Sequence, residues 1–229
     1  MTQHIGIVGC SPPGAALCYQ IICTQGAAWA GRDRVSPEVS LHTHSFNEYM
    51  RHINAGDWQG VAEFMLSSAE KLALAGADFC VAPCNTVHLA FEFVRPCSPL
   101  PWLHIAEEVA REALRLGLRR VALLGTKLLT ESSVYTDEFA RIGVECCMPN
   151  EGERERIDRF IFGEMVRGIF TPGARSYLVR VMERLHADGC DAVGMCCTEL
   201  PILIGPEDGP LPLLDSTRIL ALAALNRAA

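Results

Sequence analysis

The sequence repeats one strand pattern about half a chain length apart, and this repeat limits the possible folds more than any other feature. The segment 76–86 (GADFCVAPCNT) aligns with the segment 189–199 (GCDAVGMCCTE). In each segment a glycine and then an aspartate precede a short apolar strand, and the strand stops at a cysteine. Cys84 and Cys197 therefore occupy equivalent positions in the two copies.

Two further pairs of segments repeat at nearly the same offset. The segment 5–9 (IGIVG) matches 121–125 (VALLG), and 100–103 (LPWL) matches 211–214 (LPLL). Because three pairs agree in register, we interpret the chain as two lobes related by duplication.

The pattern between these segments indicates the fold class. Short apolar runs alternate with longer helical patterns, which is typical of βαβ units and a parallel sheet. We predict an α/β fold with two pseudo-symmetric lobes, each a mainly parallel sheet flanked by helices. The first lobe would span 1–103 and the second 104–214, while 215–229 would form a C-terminal helix that packs on the first lobe. Ligands bind at the carboxyl ends of such strands, so we expect the active site in the cleft between the lobes.

The individual elements follow from hydrophobic periodicity and from glycine and proline breaks. The segments 9–14 and 42–47 are interpreted as loops. Strands are predicted over 5–8, 39–43, 78–82, 121–124, 144–147, 191–195 and 211–214. Helices are predicted over 15–28, 58–74, 105–116, 131–142, 157–169, 176–187 and 219–226.

Composition excludes several classes of protein. With 20 Lys and Arg against 27 Asp and Glu, the net charge is −7, and the chain lacks the charge of a nucleic-acid binder. No apolar run approaches the ~20 residues that span a bilayer, and no signal peptide is evident. Eleven scattered cysteines indicate free thiols in a reducing compartment. We therefore expect a cytoplasmic protein without nucleic-acid or membrane partners.

Two cysteines stand out from the other nine as candidates for chemistry. Free cysteines are mostly small core residues, so burial alone would explain any one of them. Cys84 and Cys197, however, end equivalent strands, and polar residues follow both in an arrangement typical of anion binding. Two opposed thiols suit a reaction in which one removes a proton from a carbon and the other returns a proton to the opposite face.

These residues resemble a known family. The segments 83–88 (PCNTVH) and 197–199 (CTE) are similar to the paired signature of the aspartate/glutamate racemase family, which uses neither pyridoxal phosphate nor metal. The resemblance covers essentially the whole chain, including 121–126 (VALLGT) and 153–157 (ERERI), which we expect to precede a helix.

The resemblance implies a role for each matching residue. Cys84 and Cys197 would be the two acid/base residues of racemisation. Arg156 would bind the distal carboxylate of an acidic substrate, although a solvated charge in an alternating run explains it equally well. The remaining residues expected to bind the substrate are Ser11, Asn85, Thr86, Thr126, Thr198 and Glu199.

The chain also departs from the family pattern. The loop 9–14 (GCSPPG) replaces a Gly-Gly-Met-Gly-like loop, and 42–47 (HTHSFN) lacks the arginine that some aspartate racemases carry there. Cys196 stands where glycine is commoner, and Glu199 stands where glutamate racemases usually have histidine. These departures bear on side-chain specificity.

No cofactor is predicted. The vicinal pairs 146–147 and 196–197 lack the spacing of a zinc site, and the loop 9–14 fits neither a dinucleotide fingerprint nor a phosphate loop. We predict a homodimer that racemises an amino acid, preferably aspartate or glutamate, by a two-base mechanism. The alternatives are a cis-trans isomerase or decarboxylase of a small diacid, and a non-catalytic amino-acid-binding protein.

Overall fold

The structure, a computed structural model, describes residues 2–30 and 36–229. The chain divides into two compact units. The first unit consists of the residues up to Ile105 together with Thr217–Ala229, and the second consists of Ala106–Ser216.

The described residues form two four-stranded sheets with the same strand order. The orders are β2-β1-β3-β4 and β6-β5-β7-β8, and all neighbouring strands are parallel. This confirms the predicted α/β class with two parallel sheets flanked by helices. The strands are β1 Ile5–Gly9, β2 Val39–Thr43, β3 Phe79–Val81, β4 Trp102–Leu103, β5 Arg120–Gly125, β6 Glu145–Cys147, β7 Ala192–Cys196 and β8 Leu213–Asp215.

Helices connect the parallel strands, as such connections require. Short 3₁₀ turns also occur at Thr86–Ala90 and Met165–Arg167. The α-helices are α1 Pro12–Ala30, α2 Phe46–Ala55, α3 Trp58–Leu74, α4 Phe91–Val94, α5 Ile105–Arg115, α6 Lys127–Thr130, α7 Thr136–Arg141, α8 Glu151–Gly163, α9 Pro172–Ala187, α10 Leu200–Leu203 and α11 Ser216–Ala228. Among the described residues, the helices are too short or too polar to cross a bilayer.

The first sheet is covered on both faces because alternate side chains of its strands point to opposite sides. Ile5 and Ile7 of β1 pack with α1 and with the C-terminal helix α11, whereas Val8 packs with α2 and α3. In the second unit, α8 and α9 bury their apolar residues against β5 and β7. The continuous burial of β1 and β7 follows from this layered packing.

The helices predicted over 157–169 and 131–142 differ most from the bounds in the structure. The helix predicted over 157–169 begins earlier, at Glu151, because Asn150 and Glu153 form a reciprocal capping box. The segment 153–157 therefore lies within α8 instead of preceding it. The helix predicted over 131–142 is shortened to α7, Thr136–Arg141. A turn occupies 131–135, where the Ser132 hydroxyl donates to the Leu129 carbonyl and accepts from the Val134 amide.

Two predicted loops are partly helical. Helix α2 begins at Phe46, inside the predicted loop 42–47, because Tyr49 and Ile53, four residues apart, are buried on one face. Gly56, with a φ of 66°, ends this helix in the left-handed conformation that glycine favours. Helix α1 begins at Pro12, inside the predicted loop 9–14, since proline is well suited to a first helical position.

Candidate active site

Cys84 lies just beyond the carboxyl end of β3 in the first unit. Its side chain is half-buried, and the two residues that follow it, Asn85 and Thr86, are buried at the start of a 3₁₀ turn. The turn is attached to the strand end, since His88 Nε2 lies 3.0 Å from the Ala82 carbonyl oxygen. The fold therefore holds Cys84 in a defined position next to two buried polar side chains.

Cys197 lies directly after β7 in the second unit, where the strand order makes it the counterpart of Cys84. Its Sγ lies 3.1 Å from Glu199 Oε2, and the Thr198 hydroxyl donates to the same oxygen at 2.7 Å. All three residues are buried. The sequence predicts Glu199 as a substrate-binding residue, whereas the structure shows it accepting hydrogen bonds from its two neighbours.

Ser11 and Thr126 follow the first strand of each sheet. The Ser11 hydroxyl accepts from the Gly14 amide, and the Thr126 hydroxyl accepts from the Leu129 amide, both at 3.3 Å. Each residue thus caps the helix that follows it. A hydroxyl that accepts a hydrogen bond can still donate one, so both side chains keep the capacity to bind a substrate.

The glycines that end these two strands permit a close approach of the backbone. A Cβ at Gly9 would lie 2.2 Å from Thr43 Cγ2, and a Cβ at Gly125 would lie 3.0 Å from the Cys196 carbonyl oxygen. Only glycine fits at Gly9 without a shift of its neighbours. The repeated glycine therefore has a packing reason within each sheet.

Arg156 lies on the exposed surface of α8. Its guanidinium carbon is 4.5 Å from the centre of the Tyr177 ring and 5.7 Å from the centre of the Phe160 ring, a cation–π arrangement. Neither of the two explanations from the sequence, a substrate carboxylate or plain solvation, anticipates this aromatic surface. Its role in substrate binding stays a prediction.

Arg154, two residues earlier, is a further cation on α8 that was not predicted from the sequence as a site residue. It lies on the same helical face as the buried Ile157 and Ile161. Its Nη1 donates to the Pro149 carbonyl at 2.8 Å, and its Nη2 lies 3.6 Å from Glu131 Oε1. Its Nε is buried and has no hydrogen-bond partner in the described part of the chain. Recognition of the capping box at Asn150 would have set the helix register and singled out this arginine.

Three of the other cysteines have thiols whose pKa is raised by burial. Burial raises the pKa of Cys80 and Cys146 to about 12, and it raises the pKa of Cys196 further still. These thiols therefore stay protonated near neutral pH and act as small core residues. Within residues 2–30 and 36–229, no group of three or more His, Cys, Asp or Glu side chains is placed to hold a metal ion.

Comparison with known proteins places the chain among amino-acid racemases. The family profile described as "Asp/Glu/Hydantoin racemase" matches residues 7–224. The chain is similar to the broad specificity amino-acid racemase RacX of Bacillus subtilis, with 22% identity over 173 residues, which cover 74% of this chain and 73% of RacX.

Solved structures agree with this assignment. The chain is 29% identical to a proposed Asp/Glu racemase from Yersinia pestis, with a TM-score of 0.88 and 99% of both chains covered. An aspartate racemase homologue from Pyrococcus horikoshii has the same identity and coverage, with a TM-score of 0.79. The Picrophilus torridus aspartate racemase, at 20% identity and a TM-score of 0.79, shares the fold over 99% of this chain and 94% of its own.

Proposed function

Because the chain belongs to the Asp/Glu/Hydantoin racemase family, we propose that it racemises an amino acid with Cys84 and Cys197 as the two acid/base residues. The observation that carries this proposal is that Cys84 and Cys197 occupy equivalent positions in the two sheets. Each cysteine follows the third strand of a sheet with the same strand order, β3 in one and β7 in the other. Each is also followed by buried polar residues.

In the proposed reaction one cysteine acts as a thiolate and the other as a thiol. The thiolate takes the α-proton from one face of the substrate, which leaves a carbanion, and the thiol then gives a proton to the opposite face. Asn85, Thr86 and Thr198 would bind the α-carboxylate, where hydrogen bonds offset the charge that develops on it. The reverse reaction uses the same two groups with their roles exchanged.

Glu199 favours one assignment of these roles in the resting protein. An ionised Cys197 would place a second negative charge about 3.1 Å from the Glu199 carboxylate, and the two charges would repel each other. The protonated thiol instead donates a hydrogen bond to that carboxylate. We therefore assign Cys197 as the proton donor and Cys84 as the base for the first half of the reaction. We also propose, as the sequence predicts, a homodimer in the cytoplasm.

The direct test is exchange of the α-proton in D2O. The purified protein would be incubated with a panel of L- and D-amino acids, and loss of the Cα proton signal would be followed by NMR together with chiral chromatography. We expect exchange and inversion for at least one amino acid, fastest for aspartate or glutamate. Binding without any exchange would indicate a non-catalytic binding protein, and turnover of a small diacid alone would indicate the isomerase or decarboxylase alternative.

Preference for acidic substrates would require a cation for the distal carboxylate, and two arginines of α8 are candidates. Arg156 is exposed on the Tyr177 ring, while Arg154 is half-buried with a buried Nε. A charge-assisted hydrogen bond contributes about 1.5–3 kcal/mol, so the alanine variant of the residue that binds this carboxylate should lose about 10- to 150-fold in kcat/KM for acidic substrates. Neutral amino acids should be much less affected.

The two arginine variants are matched controls for each other. We propose that Arg156→Ala and Arg154→Ala be compared with one acidic and one neutral substrate, with thermal unfolding recorded for both. If both variants weaken acidic and neutral substrates equally, neither arginine recognises the distal carboxylate. If neither variant weakens acidic substrates, specificity must come from another segment, such as the Ser11 loop or the His42 end of β2.

A further inference from the structure

Asp158 of α8 accepts a hydrogen bond from a backbone amide that is distant in the sequence. Its Oδ1 lies 2.8 Å from the Lys127 nitrogen, which is the first residue of α6. Asp158 is half-buried, and both residues belong to the second unit. A hydrogen bond from a backbone N–H to a carboxylate is charge-assisted and stronger than one to a neutral acceptor. Because Lys127 directly follows Thr126, a predicted substrate-binding residue, this bond bears on the candidate site.

The peptide unit between Thr126 and Lys127 is held at both ends. Its N–H donates to Asp158 at 2.8 Å. Its carbonyl oxygen accepts from the Thr130 amide at 3.0 Å and from the Thr130 hydroxyl at 3.1 Å. A planar peptide unit can turn only by changing the two dihedral angles beside it, here ψ of Thr126, which is 153°, and φ of Lys127. Bonds at both ends therefore fix the backbone conformation of Thr126.

Helix α6 is too short to maintain this conformation by its own hydrogen bonds. It has four residues, whereas isolated helices shorter than about 12 residues are marginal in water. The Thr126 hydroxyl accepts from the Leu129 amide at 3.3 Å, so the direction of this hydroxyl depends on α6 being formed. Asp158 supplies a bond to the start of α6 from a residue 31 positions further along the chain.

The helix that carries Asp158 is itself well anchored. Helix α8 begins with the capping box of Asn150 and Glu153, and Ile157, the neighbour of Asp158, is buried in the core of the second unit. Glu153 also accepts from Arg184 Nε at 2.7 Å, which ties α8 to α9. Asp158 therefore presents its carboxylate to α6 from a fixed position.

The ion pairs between α8 and this segment lie nearer the surface. Lys127 Nζ is 3.1 Å from Glu155 Oε1, and both side chains are partly exposed. Arg154 Nη2 is 3.6 Å from Glu131 Oε1. Exposed ion pairs contribute little because solvent screens them and long side chains lose freedom. The bond from Asp158, in contrast, is made to the backbone of α6.

We propose that Asp158 is a positioning residue for racemisation, which fixes the Thr126–Lys127 peptide unit and so holds the Thr126 hydroxyl in the orientation that binds the substrate. This inference rests on the proposed function and on the predicted role of Thr126. Asp158 acts through the backbone, so its loss weakens acidic and neutral amino acids alike. A residue that recognises the distal carboxylate would instead affect acidic substrates alone.

The first test compares KM and kcat for the amino acid that the D2O assay identifies. Asp158→Ala should raise KM about 10-fold while kcat stays within about threefold of the wild type, because binding is lost equally in the ground state and the transition state. A variant that is only less stable would lower the apparent kcat through its unfolded fraction and leave KM unchanged. Asp158→Asn keeps an oxygen acceptor, so its KM should stay within about threefold of the wild type.

Glu155→Ala is the matched control. It removes the partner of the Lys127 side chain but leaves the Lys127 amide bonded to Asp158, so KM should not change. A double-mutant cycle then tests whether Asp158 acts through Thr126. Thr126→Val should raise KM by itself, and adding Asp158→Ala should raise it by less than about twofold more. Independent effects would multiply.

Hydrogen exchange of the substrate-free, full-length protein measures the positioning directly. Amides of the segment 127–131 should exchange about 10-fold faster in Asp158→Ala than in the wild type, and at the wild-type rate in Glu155→Ala. Wild-type exchange in Asp158→Ala, an unchanged KM in that variant, or full multiplication with Thr126→Val would each overturn the proposal. A wild-type protein without turnover would contradict the proposed function instead, since the exchange measurement requires no substrate.

Discussion

Cys84→Ser and Cys197→Ser are each expected to lower kcat for racemisation by at least about 10³-fold. Serine has almost the shape of cysteine, so the fold should be kept, but an alcohol is a far weaker acid than a thiol. It can neither form the anion that removes the α-proton nor return a proton readily. Circular dichroism of each enantiomer, with thermal unfolding of each variant, would measure activity and folding separately.

The two variants should also differ from each other in residual exchange. Whatever α-proton exchange in D2O survives in Cys84→Ser should concern one enantiomer, and in Cys197→Ser the other, because each variant keeps a different base. Cys23→Ser and Cys146→Ser are the controls, and both should stay within a few fold of the wild type. Full racemase activity in either single variant of the proposed pair would contradict the two-base mechanism.

Glu199→Ala is expected to have the next largest effect, a loss of about 10²- to 10³-fold in kcat. The variant removes the acceptor that Cys197 and Thr198 share at 3.1 and 2.7 Å, so both side chains lose their defined orientation. Loss of the carboxylate charge also makes ionisation of Cys197 easier. The decrease in rate on the alkaline side of the pH–rate profile should therefore begin at a lower pH than in the wild type.

Two variants make this prediction specific. Glu199→Gln keeps an oxygen acceptor without the charge, so it should retain more activity than Glu199→Ala while showing the same shift of the alkaline decrease in rate. Glu164→Ala removes a comparable bond, in which the Thr171 hydroxyl donates to Glu164 at 2.7 Å, and should cost stability without a large change in kcat. An unchanged pH profile in both Glu199 variants would show that Glu199 does not act on Cys197.

The sequence by itself determined the fold class and the place of the two candidate cysteines. Strands buried on both faces appear as continuous apolar runs, and the glycine and aspartate before each run recur in both halves. The duplicated segments 76–86 and 189–199 therefore predicted equivalent strands, which the structure confirms as β3 and β7 in sheets with identical order. Helix α3 was predicted with the bounds it has, Trp58–Leu74, because its periodicity is long and regular.

Helix boundaries and burial that depend on single side chains were evident only from the tertiary structure. The start of α8 depends on two reciprocal hydrogen bonds at Asn150, and this start determines which of Arg154 and Arg156 shares the buried face of the helix. Helix α2 is ten residues long and was interpreted in part as a loop, so the burial of Tyr49 could not be inferred.

The contact between Cys197 and Glu199 shows why such features could not be predicted from the sequence. Both residues were identified from the sequence, but whether Glu199 faces a ligand or the neighbouring thiol depends on its side-chain rotamer. That rotamer is selected by packing against residues distant in the chain. Periodicity reports which face of an element is apolar, because burial of apolar surface is summed over many residues. A polar contact depends on one distance and one angle, which only the tertiary structure defines.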